Sequence, residues 1–296
     1  MNSTFTTLSR ATIMAPDDVA ELPVSTPTVE IEYSPAYKAY LRSLRRDVLM
    51  VKLWQMAILV IFLIIWEVAP RAGWINPMLT SYPSAIVKTA AELITDGTLA
   101  IHTWATIRST VIGFVCGMLI GTAIAIALWL SPFLYRVLDP FIVSLNALPK
   151  IALVPLFFIW LGDLKSIYAM AIAISVFVTT LMLYTGFQAT DPDKVKLAKL
   201  FGASRVQILT KIVLPGSVPT MISTLKISVG LSLVGVVVGE FQAARAGLGY
   251  LISYGSQIFA LNLVMTSVVV LAIISTLMFA GIQTLESFIY RHRGLA

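Results

Sequence analysis

Few residues in this 296-residue chain are of types that perform chemistry, and their spacing narrows the choice further. The single Cys116 cannot form a disulfide within the chain or a cysteine-based zinc site, and His102 and His292 are too far apart in sequence to suggest a metal pair. No Gly-x-x-x-x-Gly-Lys-Ser/Thr phosphate loop, Gly-x-Ser-x-Gly elbow or His-Glu-x-x-His pair occurs. The expectation is a chain with no catalytic residue, no metal site and no cofactor of its own, and not an enzyme.

Three charged residues stand out because they fall in or beside apolar runs. Lys150 follows Pro149 and precedes Pro155 in the stretch Phe141 to Leu161. A charge at mid-membrane costs about 2.5 to 3.5 kcal/mol, so Lys150 either lines a path for an anion or snorkels to the interface from a helix that begins later. Lys226 and Glu240 lie near the ends of another run, where a structural role is the simpler reading. Glu240 is nevertheless kept with Pro149, Lys150 and Pro155 as a candidate lining of a translocation path. Gly113, Gly117 and Gly121 form a Gly-x-x-x-Gly ladder, read as close helix packing within the chain rather than dimerisation.

The elements that carry these residues follow from composition. The chain is 58% hydrophobic and only 12% charged, with a mean hydropathy of +0.88; an ordinary soluble domain has about 25% charged residues. Much of its surface must face lipid, and no length is left for a substantial soluble catalytic domain. At about 20 apolar residues per span, six stretches qualify: Leu49 to Glu67, Ser109 to Leu130, Phe141 to Leu161, Ile167 to Thr190, Ser217 to Gly239, and Leu263 to Gln283. The prolines should kink the third. Gly247-Leu248-Gly249 and Tyr254-Gly255-Ser256 read as irregular or re-entrant backbone. Ser81-Tyr82-Pro83-Ser84 opens a short amphipathic helix that Gly97 ends.

With the N-terminus inside, the inner loops and tails hold fourteen Lys and Arg and the outer ones five, namely Arg71, Lys88, Arg108, Lys165 and Arg245. Both termini are therefore expected in the cytoplasm. This bias also accounts for the net charge of +6 without nucleic acid. No secretory signal is expected in residues 1–48, which lack the apolar run it needs. Residues 1–32 read as a mobile tail, and Tyr37, Tyr40, Leu41, Leu44 and Val48 among Lys38, Arg42, Arg45 and Arg46 read as a basic amphipathic helix on the inner surface. The division is thus a cytoplasmic tail, 1–48, and a transmembrane domain, 49–296.

The longest inner loop, residues 191–215, is the most informative segment. Asp191-Pro192 opens one short helix, Gly202 permits a tight turn, Ser204 caps a second helix, and Pro215 precedes the next span. Val195, Ala198 and Leu200 would then be available to a partner protein. The spacing resembles the signature loop of permease subunits of bacterial ATP-binding-cassette importers: Glu-Ala-Ala, three residues, Gly, nine residues, Ile, one residue, Leu-Pro. Gly202 fixes the register, and Ala198, Ile212, Leu214 and Pro215 fall on motif positions. Lys196 stands where the family carries Glu, and Leu197 replaces the first Ala. The likeness extends to Leu148-Pro149-Lys150 through Pro155 and Trp160-Leu161-Gly162, to Leu214 through Pro219, and to Gly239-Glu240 with Gly247-Leu248-Gly249. It covers roughly residues 70 to 290 and is closest to the nitrate, sulfonate, taurine and bicarbonate branch.

The resemblance implies an all-α membrane protein of about six spans with the importer permease fold, in the bacterial inner membrane. It implies assembly of two permease chains with two cytoplasmic ATPase subunits, which hold ATP and Mg, and delivery of a small anionic solute by an external binding protein. Lipid is the remaining partner. The loop, with Asp193, Lys196, Leu197, Ala198, Phe201, Gly202, Ala203, Ile212, Leu214 and Pro215, would couple to the ATPase. A self-sufficient secondary transporter or channel is the alternative. It calls for intramembrane acid or His relays and repeat symmetry; the clear spans hold no acid or His, and no repeat is evident. A membrane-embedded enzyme would need a nucleophile and base that converge, and none is seen.

Overall fold

The computed structural model describes residues 35–76 and 80–293, with side chains from 46 to 291. The expected tail, 1–32, and the side chains from Tyr37 to Arg45 lie outside the described residues. The chain divides into two compact units, 1–60 and 61–296. Every regular element among the described residues is helical.

Helix α1 runs over Pro35–Arg71, and its 18 residues from Leu49 to Trp66 carry no charge apart from Lys52. In the first unit Leu49, Leu53, Trp54 and Ile58 are exposed, as lipid-facing side chains are. In the second unit, α2 spans Pro83–Thr95, α3 Thr98–Leu130, α4 Pro132–Ala147, α5 Val154–Leu161 and α6 Asp163–Gln188. The short α7 (Pro192–Leu200), α8 (Arg205–Ile208) and α9 (Leu214–Gly216) follow, then α10 (Val218–Ala243), α11 (Leu248–Gln257) and α12 (Leu261–Arg293). Among the described residues five helices (α1, α3, α6, α10 and α12) are long and apolar enough to cross a membrane, and six spans result if α4 and α5 count as one. That pair bends by 87°, at the expected prolines: Pro149 opens a 3₁₀ turn, Lys150–Leu153, and Pro155 sits in the first turn of α5.

Packing in the second unit centres on α6, laid against α3 and α10. The buried face of α3 is Thr106, Thr110, Gly113, Gly117, Gly121, Ala125 and Leu128, spaced by three and four residues. Opposite it, α6 buries Ile167, Ala171, Ser175, Thr179, Leu183 and Phe187 at every fourth position. The glycine ladder meets this face residue for residue: a Cβ on Gly113 or Gly117 would overlap Ala171 or Ser175, and one on Gly121 would stand 2.7 Å from Thr179 Cγ2. The ladder is therefore an intrachain contact, as membrane helices that approach closely through small residues require. On the other side Thr179 and Ser228 share a 2.7 Å hydroxyl hydrogen bond.

Two expectations are corrected. Helix α3 begins at Thr98, eleven residues before the expected start, so His102 and Arg108 are helical rather than in an outer loop; Asp96 accepts from Thr98 N (2.8 Å) and holds that early start. The stretch after Gly247 is regular helix, not irregular backbone. Its glycines serve close packing, since a Cβ on Gly249 would meet Val237 O at 2.6 Å, while Leu248 and Leu251 bury their side chains.

Candidate functional site

The loop between α6 and α10 is built by local chemistry at each joint. Asp191 accepts from Asp193 N (2.9 Å) with Pro192 at the first helical position, an N-cap that starts α7. At the other end Gly202 has φ +77°, its N–H bonds to Lys199 O (3.0 Å) and Ala203 N–H bonds to Ala198 O (3.0 Å). This pair of bonds is a Schellman turn, which needs a left-handed residue and so favours glycine. Ser204 and Gln207 then form a reciprocal capping box that starts α8. The expected two helices and turn are present, followed by a π turn over Leu209–Val213 and the short α9 with Pro215 exposed.

The faces of α7 differ from the expected assignment. Val195 and Ala198 turn inward and, with Ala203, Ile212 and Leu214, pack against the core of Ala125, Leu128, Leu183, Phe187 and Ile208. The exposed apolar face is instead Leu197, Leu200 and Phe201, the last two 84% and 81% exposed. The helix is too short to bury two sides, so the smaller side chains take the side next to the bundle. Asp193 and Lys196 form an exposed ion pair at 3.0 Å, worth at most about 1 kcal/mol. Arg205 Nη1 donates to Leu130 O (2.9 Å), tying the loop to the open C-terminal carbonyls of α3.

The residues proposed for a path do not form one cluster. Lys150 is half-buried at the α4–α5 break, donating to Asn146 O (2.8 Å) and lying 5.6 Å from the Phe177 ring centroid. It thus neutralises the carbonyl end of α4, a position favourable for a cation. Glu240 is 1% exposed, with no cation beside it in the described structure's ion pairs. It accepts from Thr106 Oγ1 (2.9 and 3.0 Å) and from Gly249 N (3.0 Å) at the start of α11. Thr106 Oγ1 accepts from Leu248 N (2.8 Å), and His102 Nδ1 accepts from Gly247 N (2.9 Å). Three side-chain acceptors, His102 and Thr106 of α3 and Glu240 of α10, therefore fasten the start of α11, and the buried carboxylate is explained by the orphan Gly249 N–H and the Thr106 hydroxyl it satisfies. Sequence reading missed His102 and Thr106; the pairing of Glu240 with a nearby Gly-Leu-Gly was the available signal. Lys226 forms an ion pair with Glu286 of α12, a structural role.

The bearing of this geometry on identity comes from known proteins. Residues 113–292 match the model of the binding-protein-dependent transport system inner membrane component. The chain belongs to that family of ABC importer permeases. It is 27% identical to the taurine transport system permease protein TauC of Escherichia coli (strain K12), over 77% of this chain and 85% of that protein. It is also 27% identical to the formylaminopyrimidine transport permease protein ThiX of Halalkalibacterium halodurans, over 77% and 90% respectively. The fold matches a chain of the MetNI methionine ABC transporter in an inward-facing conformation, with a TM-score of 0.56, 18% identity, and coverage of 67% of this chain and 97% of that one. The family's permeases are membrane-embedded transport subunits that work with ATPase and binding-protein partners.

Proposed function

We propose that this permease forms the translocation path for a small anionic solute of the nitrate, sulfonate, taurine or bicarbonate type, as one of two copies joined to two cytoplasmic ATPase subunits. ATP and Mg bind on those partners, an external binding protein delivers the solute, and both termini face the cytoplasm of a bacterial inner membrane. Relatives of equal identity carry the names of chemically different solutes, so the choice of solute belongs chiefly to the binding protein. Pro149, Lys150 and Pro155 flank the path at the broken segment; Glu240 acts behind it by ordering α11.

The observation that carries this reading is the apolar edge Leu197, Leu200 and Phe201, held outside the spans by a capped helix whose ends lead into α6 and α10. Asp193, Lys196, Ala198, Gly202, Ala203, Ile212, Leu214 and Pro215 shape and brace that edge. Leu200→Asp with Phe201→Asp should weaken recovery of the ATPase in a detergent pull-down by at least about 30-fold, the loss of one interface anchor of about 2 kcal/mol. Normal recovery together with normal substrate-stimulated hydrolysis would overturn the coupling role. Uphill transport by the chain alone in liposomes would overturn the importer reading and favour a secondary transporter.

A further inference from the structure

The coupling loop also encloses something the motif does not require. A cavity of about 430 Å³ lies between α7 and the ends of α3, α4 and α6. Among the described residues its wall carries Lys196, Lys199 and Arg205 and no acidic residue. Trp129, Gln188 and Thr190 complete the polar and aromatic part of the lining, and the Thr190 hydroxyl is buried with no hydrogen-bond partner among the described residues. Lys196 and Lys199 stand one turn apart on α7 as exposed side chains at the open side of the cavity, which Val195 also lines, whereas Leu197, Leu200 and Phe201 are not part of its wall. Asp193 pairs with Lys196 from outside the cavity, and Arg205 spends one N–H on Leu130 O. Lys199 makes no ion pair among the described residues.

Three cations around one space repel one another, and an anion between them reverses the sign of that interaction. A phosphate offers oxygens enough for both lysines, the remaining N–H groups of Arg205, and the donors of Thr190 and Gln188. The position also fits: Trp129 and Gln188 are at the ends of spanning helices, the depth of lipid headgroups and of interfacial tryptophan. We propose that this cavity binds a phosphate-bearing anion, from an anionic phospholipid headgroup or from solution, which braces α7 against the ends of α3 and α6. Lys196, the departure from the family motif, is then a ligand of that anion. The site needs only the loop's place at the membrane surface, so it can stand or fall separately from ATPase coupling.

The test is retention of lipid by the full chain, purified from bilayers of phosphatidylcholine with phosphatidylglycerol and followed by native mass spectrometry. Wild type should keep phosphatidylglycerol in preference to phosphatidylcholine. Lys196→Gln with Lys199→Gln should weaken that preference by about 30-fold, equivalent to about 2 kcal/mol for two interfacial lysines. Both lysines are at the surface of a short helix, and equal melting temperatures of wild type and double variant in neutral detergent, free of phosphate and anionic lipid, confirm that the fold is retained. Lipid retention lost in the variant assigns the anion to the membrane. If phosphatidylglycerol is not retained but inorganic phosphate raises the melting temperature of wild type and not of the variant, the anion comes from solution. Equal behaviour of wild type and variant in both arms overturns the site. So does a variant that loses only its ATPase, for the lysines would then contact protein.

Discussion

Glu240→Ala removes the carboxylate that fastens the first turn of α11 to α10. Two donors lose their acceptor, Gly249 N–H at 3.0 Å and the Thr106 hydroxyl at 2.9 Å, and both lie in the interior. Each buried donor left unpaired costs about 1 to 3 kcal/mol, to which the vacated volume adds. Loss of the desolvation cost of the carboxylate returns part of this, leaving a net local penalty of about 3 kcal/mol. Glu240→Gln keeps one acceptor oxygen for Gly249 N–H and offers its NH₂ to Thr106 Oγ1, so its penalty should be about 1 kcal/mol. The assay is amide hydrogen exchange of the detergent-solubilised chain, resolved to residues 247–251. Glu240→Ala should speed exchange there by about 100-fold, with Glu240→Gln between it and wild type. Amides in the middle of α6 serve as the control and should not change. Exchange at 247–251 that is the same in Glu240→Ala as in wild type would refute the reasoning, because the carboxylate would then hold nothing.

Two further substitutions separate the loop from the bundle. Gly202→Val meets no atom within 4 Å but must adopt φ +77°, so its cost is backbone strain of about 1 to 2 kcal/mol confined to the loop; membrane insertion should be normal while pull-down of the ATPase falls, and Gly202→Asn should restore much of it. Gly121→Leu forces α3 away from Thr179 and should destabilise the chain by about 3 kcal/mol or prevent its accumulation in the membrane, read as a lowered melting temperature in detergent.

Legibility in the sequence followed the range of the interaction concerned. The capped loop was readable because Asp191-Pro192, Gly202 and Ser204 act on their own neighbours, and the kink was readable because a proline deletes a bond within its own turn. The glycine ladder could be read as a packing face, but its partners Ala171, Ser175 and Thr179 could not, since small residues in α6 carry no mark of which helix they meet. Charge-free runs underestimated α3, because they stop at Arg108 while the helix continues through it to Thr98. The same shortcut left His102 outside the spans and hid its place one turn from Thr106, which meets Glu240 only because α3 and α10 cross. For α7 the apolar residues were identified but their sides were not. A nine-residue helix with Val195, Leu197, Ala198 and Leu200, capped by Phe201, has apolar side chains most of the way round, and only the bundle decides which of them it covers.

The placement of α7 gives its two faces a common mechanical meaning. The loop interrupts the connection between α6 and α10, and these two helices share the most extensive interface in the second unit, closed by small side chains and the Thr179–Ser228 hydrogen bond. A force applied at Leu200 and Phe201 therefore enters a block made of α3, α6 and α10, since Arg205 also ties the loop to the end of α3. Such a block resists internal shear: sliding α3 along α6 by part of a turn would drive Gly121 out of register with Thr179 and open voids along the whole ladder. Motion must then be taken up where packing is thin and the backbone is already broken. The 87° bend between α4 and α5, with exposed Pro149 and with Lys150 held to Asn146 O, is such a place. Under the proposed function, a push on α7 would then carry α6 and α10 as one body relative to this bend, and Lys150, which holds the end of α4, would sit at the hinge.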